Sequence, residues 1–212
     1  MKNRKPIFIL LLLACGIVLS MSVFTVFTDS EKEKLQTTKQ YVFLGDSLTD
    51  YFDLEDSFPD LPVINSGIAG NTTEDILSDM EHRVYAYDPS KVFLLIGIND
   101  LLLGEDADTI IENIQQILQK IQANCPQTQL YLESLYPVDP YRVGRKDNEE
   151  IKEINQRLKT YAQTNNIEFI DVYGSLVDEQ DRLSKEYTDD GLHLNQRGYQ
   201  IVSEILTPFL KD

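Results

Sequence analysis

The chain has 212 residues, 42% of them hydrophobic and 25% charged, and a formal net charge of -16. A chain this acidic repels polyanions, which argues against nucleic acid and against docking by charge on anionic lipid. With the N-terminal stretch set aside, the remaining length suits one compact domain with a sizeable core.

Residues 7–27, IFILLLLACGIVLSMSVFTVF, form an uncharged run of 21 residues, long enough to cross a hydrocarbon core as a helix. Lys2, Arg4 and Lys5 precede it, while Asp29, Glu31 and Glu33 follow it among lysines. The positive-inside bias therefore predicts a cytoplasmic N-terminus and an extracytoplasmic domain, with residues 1–28 as a signal-anchor of one transmembrane helix. Cleavage at the small-x-small Ser20-Met21-Ser22 is one alternative and would release a secreted domain. Lipoprotein-type processing at Cys15 is another, weakened by the apolar sequence that continues past it. Residues 29–39, DSEKEKLQTTK, read as a polar stalk, and the folded domain is expected over 40–212. Cys15 lies in the anchor and Cys125 near the end of a predicted helix, so no intramolecular disulfide is expected. Neither cysteine has a metal-ligand neighbour, and no metal or organic cofactor is implied.

From Gln40 onward, apolar runs of strand length alternate with helix-period segments. Strands are expected near 40–45, 62–65, 91–97, 128–134 and 167–172. This alternation predicts an α/β fold, a parallel sheet with helices on both faces. Ile110, Ile114, Ile117, Leu118 and Ile121 line one helix face, Ile151, Ile154, Leu158 and Tyr161 a second, and Val202, Ile205, Leu206 and Phe209 a third. The longest irregular stretch, YPVDPYRVGRKDNEE at 136–150, follows the fourth strand. Its loop from Pro137 to Asp147 is expected to help shape a pocket, with Arg142 and Arg145 either meeting an anionic substrate or simply solvated.

In an open parallel sheet the ligand site lies beyond the carboxyl ends of the strands, where strand order reverses. Three turns there would be neighbours if the order is 2-1-3-4-5: Asp46 and Ser47 after the first strand, NSGIAGNTT (65–73) after the second, and GIND (97–100) after the third. Each has a purely structural reading. Ser47 can cap the following helix, Gly67 and Gly70 can serve turns, and Asn99 with Asp100 can cap the next helix.

As a nucleophile, Ser47 needs a base, and histidine suits that task near neutral pH. Of the two histidines, His82 sits in the charged helical stretch DMEHRVYA and reads as a surface residue. His193 sits in TDDGLHLN, three residues after Asp190, a spacing that lets the carboxylate accept from Nδ1–H and turn Nε2 toward the serine. Acyl transfer also needs donors for an oxyanion; the Ser47 amide, a glycine amide in GIAG and Asn99 Nδ2 are the candidates.

These blocks resemble those of the GDSL or SGNH hydrolases over nearly the whole exported region. GDSLT at 45–49 is similar to the nucleophile block, NSGIAGNTT to the glycine block, GIND to the asparagine block and DGLH at 190–193 to the Asp-x-x-His block. The resemblance implies a three-layer, flavodoxin-like five-stranded sheet. It also implies Ser47 as nucleophile, Asp190 and His193 completing a triad, and Gly70 and Asn99 as oxyanion donors beside the Ser47 amide. Gly67 lies in the same block, but the family register places the donor just before Asn71.

NSGIAGNTTEDIL looks most similar to the small branch that includes platelet-activating-factor acetylhydrolase catalytic subunits. The family spans lipases, lysophospholipases, thioesterases and carbohydrate acetyl-esterases. The expected function is an extracytoplasmic serine esterase of short acyl groups, such as acetyl, on an envelope glycan or lipid. A lysophospholipase, lipase or thioesterase is the alternative within the family, and a catalytically degenerate binding module the alternative outside it. A flavodoxin-like phosphate site is disfavoured because Asp46 and Asp50 would repel phosphate, and a phosphoacceptor domain because Asp171 stands where a lysine is wanted. Beyond substrate and membrane the sequence points to no partner, and it leaves oligomeric state open.

Overall fold

The structure is a computed structural model that describes residues 40–145 and 147–211; the expected anchor and stalk lie outside the described residues. Among the described residues no helix is long and apolar enough to cross a membrane.

The core is a sheet of five parallel strands, β1 (Tyr41–Gly45), β2 (Val63–Gly67), β3 (Lys91–Leu95), β4 (Gln129–Glu133) and β5 (Glu168–Ile170), in the order β2-β1-β3-β4-β5. β1 and β3 are buried along their whole length, which explains why Val42–Leu44 and Val92–Leu95 run apolar without alternating. Register places Phe43 beside Phe93 and Phe93 beside Tyr131, and the rings stack at 4.7 and 4.4 Å across the sheet face.

Among the described residues, ten α-helical segments connect or cover the strands: α1 (Ser47–Asp50), α2 (Leu54–Ser57), α3 (Thr73–Ser78), α4 (Met80–Arg83), α5 (Ile98–Leu103), α6 (Ala107–Asn124), α7 (Pro140–Val143), α8 (Glu149–Thr164), α9 (Tyr173–Leu176) and α10 (Gln196–Leu210). The aromatic face meets α10, whose Phe209 ring sits edge-on to Tyr131. α6 packs with α3 and α8 as a second helical layer, so the fold is the expected three-layer α/β arrangement.

The helix stripes behave as their periodicity predicts. α6 buries all five of its isoleucine and leucine positions named above, α8 buries Ile151, Ile154 and Leu158, and α10 buries Val202 and Leu206. Tyr161, Ile205 and Phe209 flank those stripes half-buried. Boundaries differ in two informative places. β2 runs on to Gly67, which brings the glycine block into the sheet's edge register. The irregular stretch after β4 contains the turn α7, because Asp139 caps it by accepting from the Tyr141 amide and Pro140 occupies its first position, where a missing N–H costs nothing.

Candidate active site

β1 ends at Gly45, and the next residue to shape the turn is Asp46. Its Oδ1 accepts from the Leu48 amide at 2.9 Å, making Asp46 the N-cap of α1 and leaving Ser47 as the first helical residue. The capping role considered for Ser47 thus belongs to its neighbour, and the serine hydroxyl is free for other partners. It points to His193, with Oγ 3.0 Å from Nε2. His193 Nδ1 lies 2.7 Å from Asp190 Oδ2. Since Nδ1–H donates to the carboxylate, Nε2 is left to accept from the serine hydroxyl.

Asp190 is fixed from its own backbone: Oδ1 accepts from the Leu192 and His193 amides at 2.9 and 2.8 Å. These bonds and the imidazole outweigh the cost of partial burial and hold its carboxyl at about 2, so it is ionised at neutral pH. The segment beyond His193 is anchored onto the nucleophile turn. Tyr199 on α10 donates to the Leu48 carbonyl at 3.0 Å, and its ring stacks on Phe52 at 5.0 Å.

The glycine and asparagine blocks lie beside β1 as expected, and they are locked to each other. Asn99 Nδ2 donates to the Asn71 carbonyl at 2.9 Å, which uses one of its two amide hydrogens. Asp100 does not cap α5; its buried carboxylate accepts from the Thr73 amide at 3.1 Å and the Thr73 hydroxyl at 2.5 Å. The two glycines differ in kind. A Cβ on Gly67 would stand 2.2 Å from the Asp50 amide nitrogen, so that position is glycine because α1 packs directly on it. Gly70 has φ +81° and nothing within 4 Å of a Cβ, so it turns an exposed, open loop.

Sequence reasoning missed the residue that ties these turns together. Arg83, at the end of α4, is buried and donates from Nη2 to the Gly45 carbonyl at 2.9 Å, from Nη1 to Asn71 Oδ1 at 2.6 Å and from Nε to Ser66 Oγ at 3.1 Å. Nη2 also reaches the Ser66 carbonyl. A lone arginine beside a histidine in a charged helix carries no signal of burial. It was also overlooked that Asn65 donates to the Thr49 and Phe52 carbonyls at 2.8 and 3.1 Å, closing the C-terminal end of α1.

His82 is on the surface as expected, paired with Asp79 at 2.6 Å. Arg142 is exposed and Arg145 half-buried, and both reach protein partners. Arg145 donates to the Leu101 carbonyl at 3.0 Å and pairs with Glu150 at 2.5 Å, and Arg142 donates to the Asp189 carbonyl, so both brace the loops around Asp190 and α5. Cys125 is a buried free thiol, and the described residues contain no cluster suited to a metal ion.

Beneath the nucleophile turn, burial pushes the Asp46 carboxyl up to about 7, and its Oδ2 has no hydrogen-bond partner among the described residues. Glu133 on β4 is likewise raised to about 7 by burial and accepts from the Tyr136 hydroxyl at 2.6 Å.

The model of the GDSL-like Lipase/Acylhydrolase family matches residues 43–201. A Streptococcus pneumonia protein named for platelet activating factor superposes with a TM-score of 0.77 at 30% identity, over 92% of this chain and 99% of its own. A GDSL-like lipase from Bacteroides thetaiotaomicron does so with a TM-score of 0.74 at 28% identity, over 81% of this chain and 87% of its own. The N-acylneuraminate cytidylyltransferase of Escherichia coli is 27% identical over 187 residues, 86% of this chain and 43% of the relative. The chain spans less than half the length of the curated relatives it matches. It belongs to the GDSL-like lipase/acylhydrolase family.

Proposed function

We propose that this hydrolase cleaves short acyl esters, of the acetyl type, through Ser47, His193 and Asp190. The observation that carries the reading is the hydrogen-bonded chain from Ser47 Oγ through His193 to Asp190 at the carboxyl end of the central strand. His193 takes the hydroxyl proton as Oγ attacks the acyl carbonyl, and Asp190 holds the ring and stabilises the imidazolium. The amides of Ser47 and Gly70 and the second Nδ2–H of Asn99 receive the negative charge that develops on the carbonyl oxygen. The imidazolium then protonates the departing alcohol, and water repeats the sequence on the acyl-enzyme to free the acid.

Residues 1–28 act as the signal-anchor and 29–39 as the stalk, which places the hydrolase on the extracytoplasmic side of the membrane. A surface position and the acidic chain favour an uncharged substrate, an envelope glycan or neutral lipid ester.

A lipid ester is the second reading, because Tyr51, Ile68, Leu103 and Tyr141 are exposed on the segments that follow β1, β2, β3 and β4, at the same end of the sheet as Ser47. The full-length chain and its Ser47→Ala variant assayed on p-nitrophenyl esters from acetyl to palmitoyl decide between them. Loss of turnover in Ser47→Ala with a wild-type optimum at acetyl supports the proposal; an optimum at long chains moves the assignment to lipid. Equal rates for the two proteins would leave the site as a binding module.

A further inference from the structure

The proposed chemistry gives the site a direction. His193 delivers its proton to the leaving oxygen, so the alcohol part of the ester lies on the histidine's side of Ser47, whereas the carbonyl oxygen turns toward the donors of the β2 and β3 turns. On the histidine's side is a cleft of about 880 Å³ between the α1–α2 segment and α10. It begins at the site itself: the Tyr51 ring on its wall stands 5.3 Å from the His193 ring, and Leu194, the next residue along, lines it too.

The walls mix polar side chains with the apolar faces of Tyr51, Phe52, Leu194 and Tyr199. Asp56 comes from α2, and Gln196, Arg197, Gln200 and Ser203 come from α10. Among the described residues, the Asp56 and Arg197 amides bond to neighbouring side chains, while the side chains of Asp56, Gln196 and Arg197 make no hydrogen bond or ion pair. Gln200 donates to Glu204 at 3.2 Å, which leaves its carbonyl oxygen to accept. Acceptors and donors in one cleft with an exposed aromatic ring suit a molecule with many hydroxyls and one apolar ring face. They suit an acyl chain poorly, since it would leave Asp56, Gln196 and Arg197 without partners, and a phosphate poorly, since Asp53 and Asp56 would repel it.

We propose that this cleft is the subsite for the alcohol part of the ester and that it takes an oligosaccharide, one sugar ring stacking on Tyr51 and the following hydroxyls meeting Arg197, Gln200 and Asp56. This rests on the serine-esterase reading, and the test separates the two. The full-length protein, Asp56→Ala and the double variant Arg197→Ala/Gln200→Ala are assayed on acetylated xylotriose, acetylated chitotriose and p-nitrophenyl acetate. All the substituted residues are exposed, and thermal melts check that the variants remain folded.

The expected result is that the variants lower kcat/KM for an acetylated trisaccharide at least ten-fold more than for p-nitrophenyl acetate, mostly through KM. Equal effects on both classes, or turnover of p-nitrophenyl acetate by a wild type that neither hydrolyses nor is inhibited by any of the trisaccharides, overturns the subsite while leaving the esterase intact. If instead Ser47→Ala keeps full activity, the esterase reading fails. The subsite is then judged by calorimetric titration of the deacetylated trisaccharides into the full-length protein, where binding lost in the double variant supports it and no binding overturns it.

Discussion

Arg83 donates to Asn71 Oδ1 at 2.6 Å, and the carbonyl of that same asparagine receives the Asn99 side chain at 2.9 Å. A guanidinium buried under the glycine block thus holds, through one residue, the amide proposed to meet the oxyanion. Its other bonds run to Gly45 at the end of β1 and to Ser66 in β2, so the strand that carries the nucleophile and the strand that carries the glycine turn share one buried cation.

Arg83→Met is expected to destabilise the fold by about 3–5 kcal/mol, because it removes the guanidinium donors of the Ser66 carbonyl and the Asn71 side chain and leaves the Gly45 carbonyl with the Ile68 amide alone. Arg83→Lys keeps the charge but not the fork and is expected to recover less than half of the loss. Urea denaturation midpoints measure both; a midpoint unchanged in Arg83→Met would deny the arginine this role.

Asn99→Ala is expected to lower kcat by roughly 10²–10³ with little change in KM, since a donor aimed at the oxyanion acts in the transition state and not on the bound ester. Steady-state kinetics on p-nitrophenyl acetate read the split. A rise in KM at constant kcat would make Asn99 a ground-state binding residue instead.

Asp190→Asn replaces the acceptor of Nδ1–H with a group that can present its own N–H to the ring, favouring the tautomer that turns a hydrogen toward Ser47. A fall in kcat of about 10³–10⁴ is expected with the fold intact, as judged by melting temperature. A fall below ten-fold would mean that the backbone alone orients His193.

The two glycines of the GIAG turn are expected to respond differently. Gly67→Ala drives a methyl against the Asp50 backbone and should destabilise by about 2–4 kcal/mol, displacing α1 and the serine with it. Gly70→Ala meets no atom and suffers only the strain of positive φ, about 1–2 kcal/mol. Thermal melts rank them; equal losses would contradict the packing of α1 on Gly67.

Asp46 and Glu133 impose a pH dependence on stability. Each is raised to about 7 in the folded chain from an ordinary value near 4, so between those limits the native state binds more protons than the unfolded chain. Stability from these groups is therefore present in full below about pH 4 and declines as pH rises toward 7. Asp190, held at about 2, acts oppositely: its contribution is present above the ordinary carboxylate range and lost as pH falls toward 2. Asp46→Asn, a mimic of the protonated acid, is expected to flatten the decline between pH 4 and 7 in urea titrations. An unaltered slope would place Asp46 outside the linkage.

Periodicity made the five strands and the stripes of α6, α8 and α10 legible, because burying an apolar face leaves its spacing in the sequence. The blocks around Ser47, Gly70, Asn99, Asp190 and His193 were legible because each joins local turn chemistry to a residue type with a chemical use. What the sequence could not distinguish was which residue performs which of those local tasks. Asp46 rather than Ser47 caps α1, and Asp100 reaches across to Thr73 instead of capping α5.

The sequence by itself determined the sheet class, which follows from spacing, and offered the candidate residues for the proposed chemistry through their side-chain types and the resemblance of their blocks to a known family. Only the tertiary structure decided that 146 positions of chain close into a 3.0 Å contact between Ser47 and His193, that Gly67 packs while Gly70 faces outward, and that Arg83 is buried. Those outcomes depend on which strands become neighbours. Strand order is set by the summed burial of the whole core, and no local pattern of residues records it.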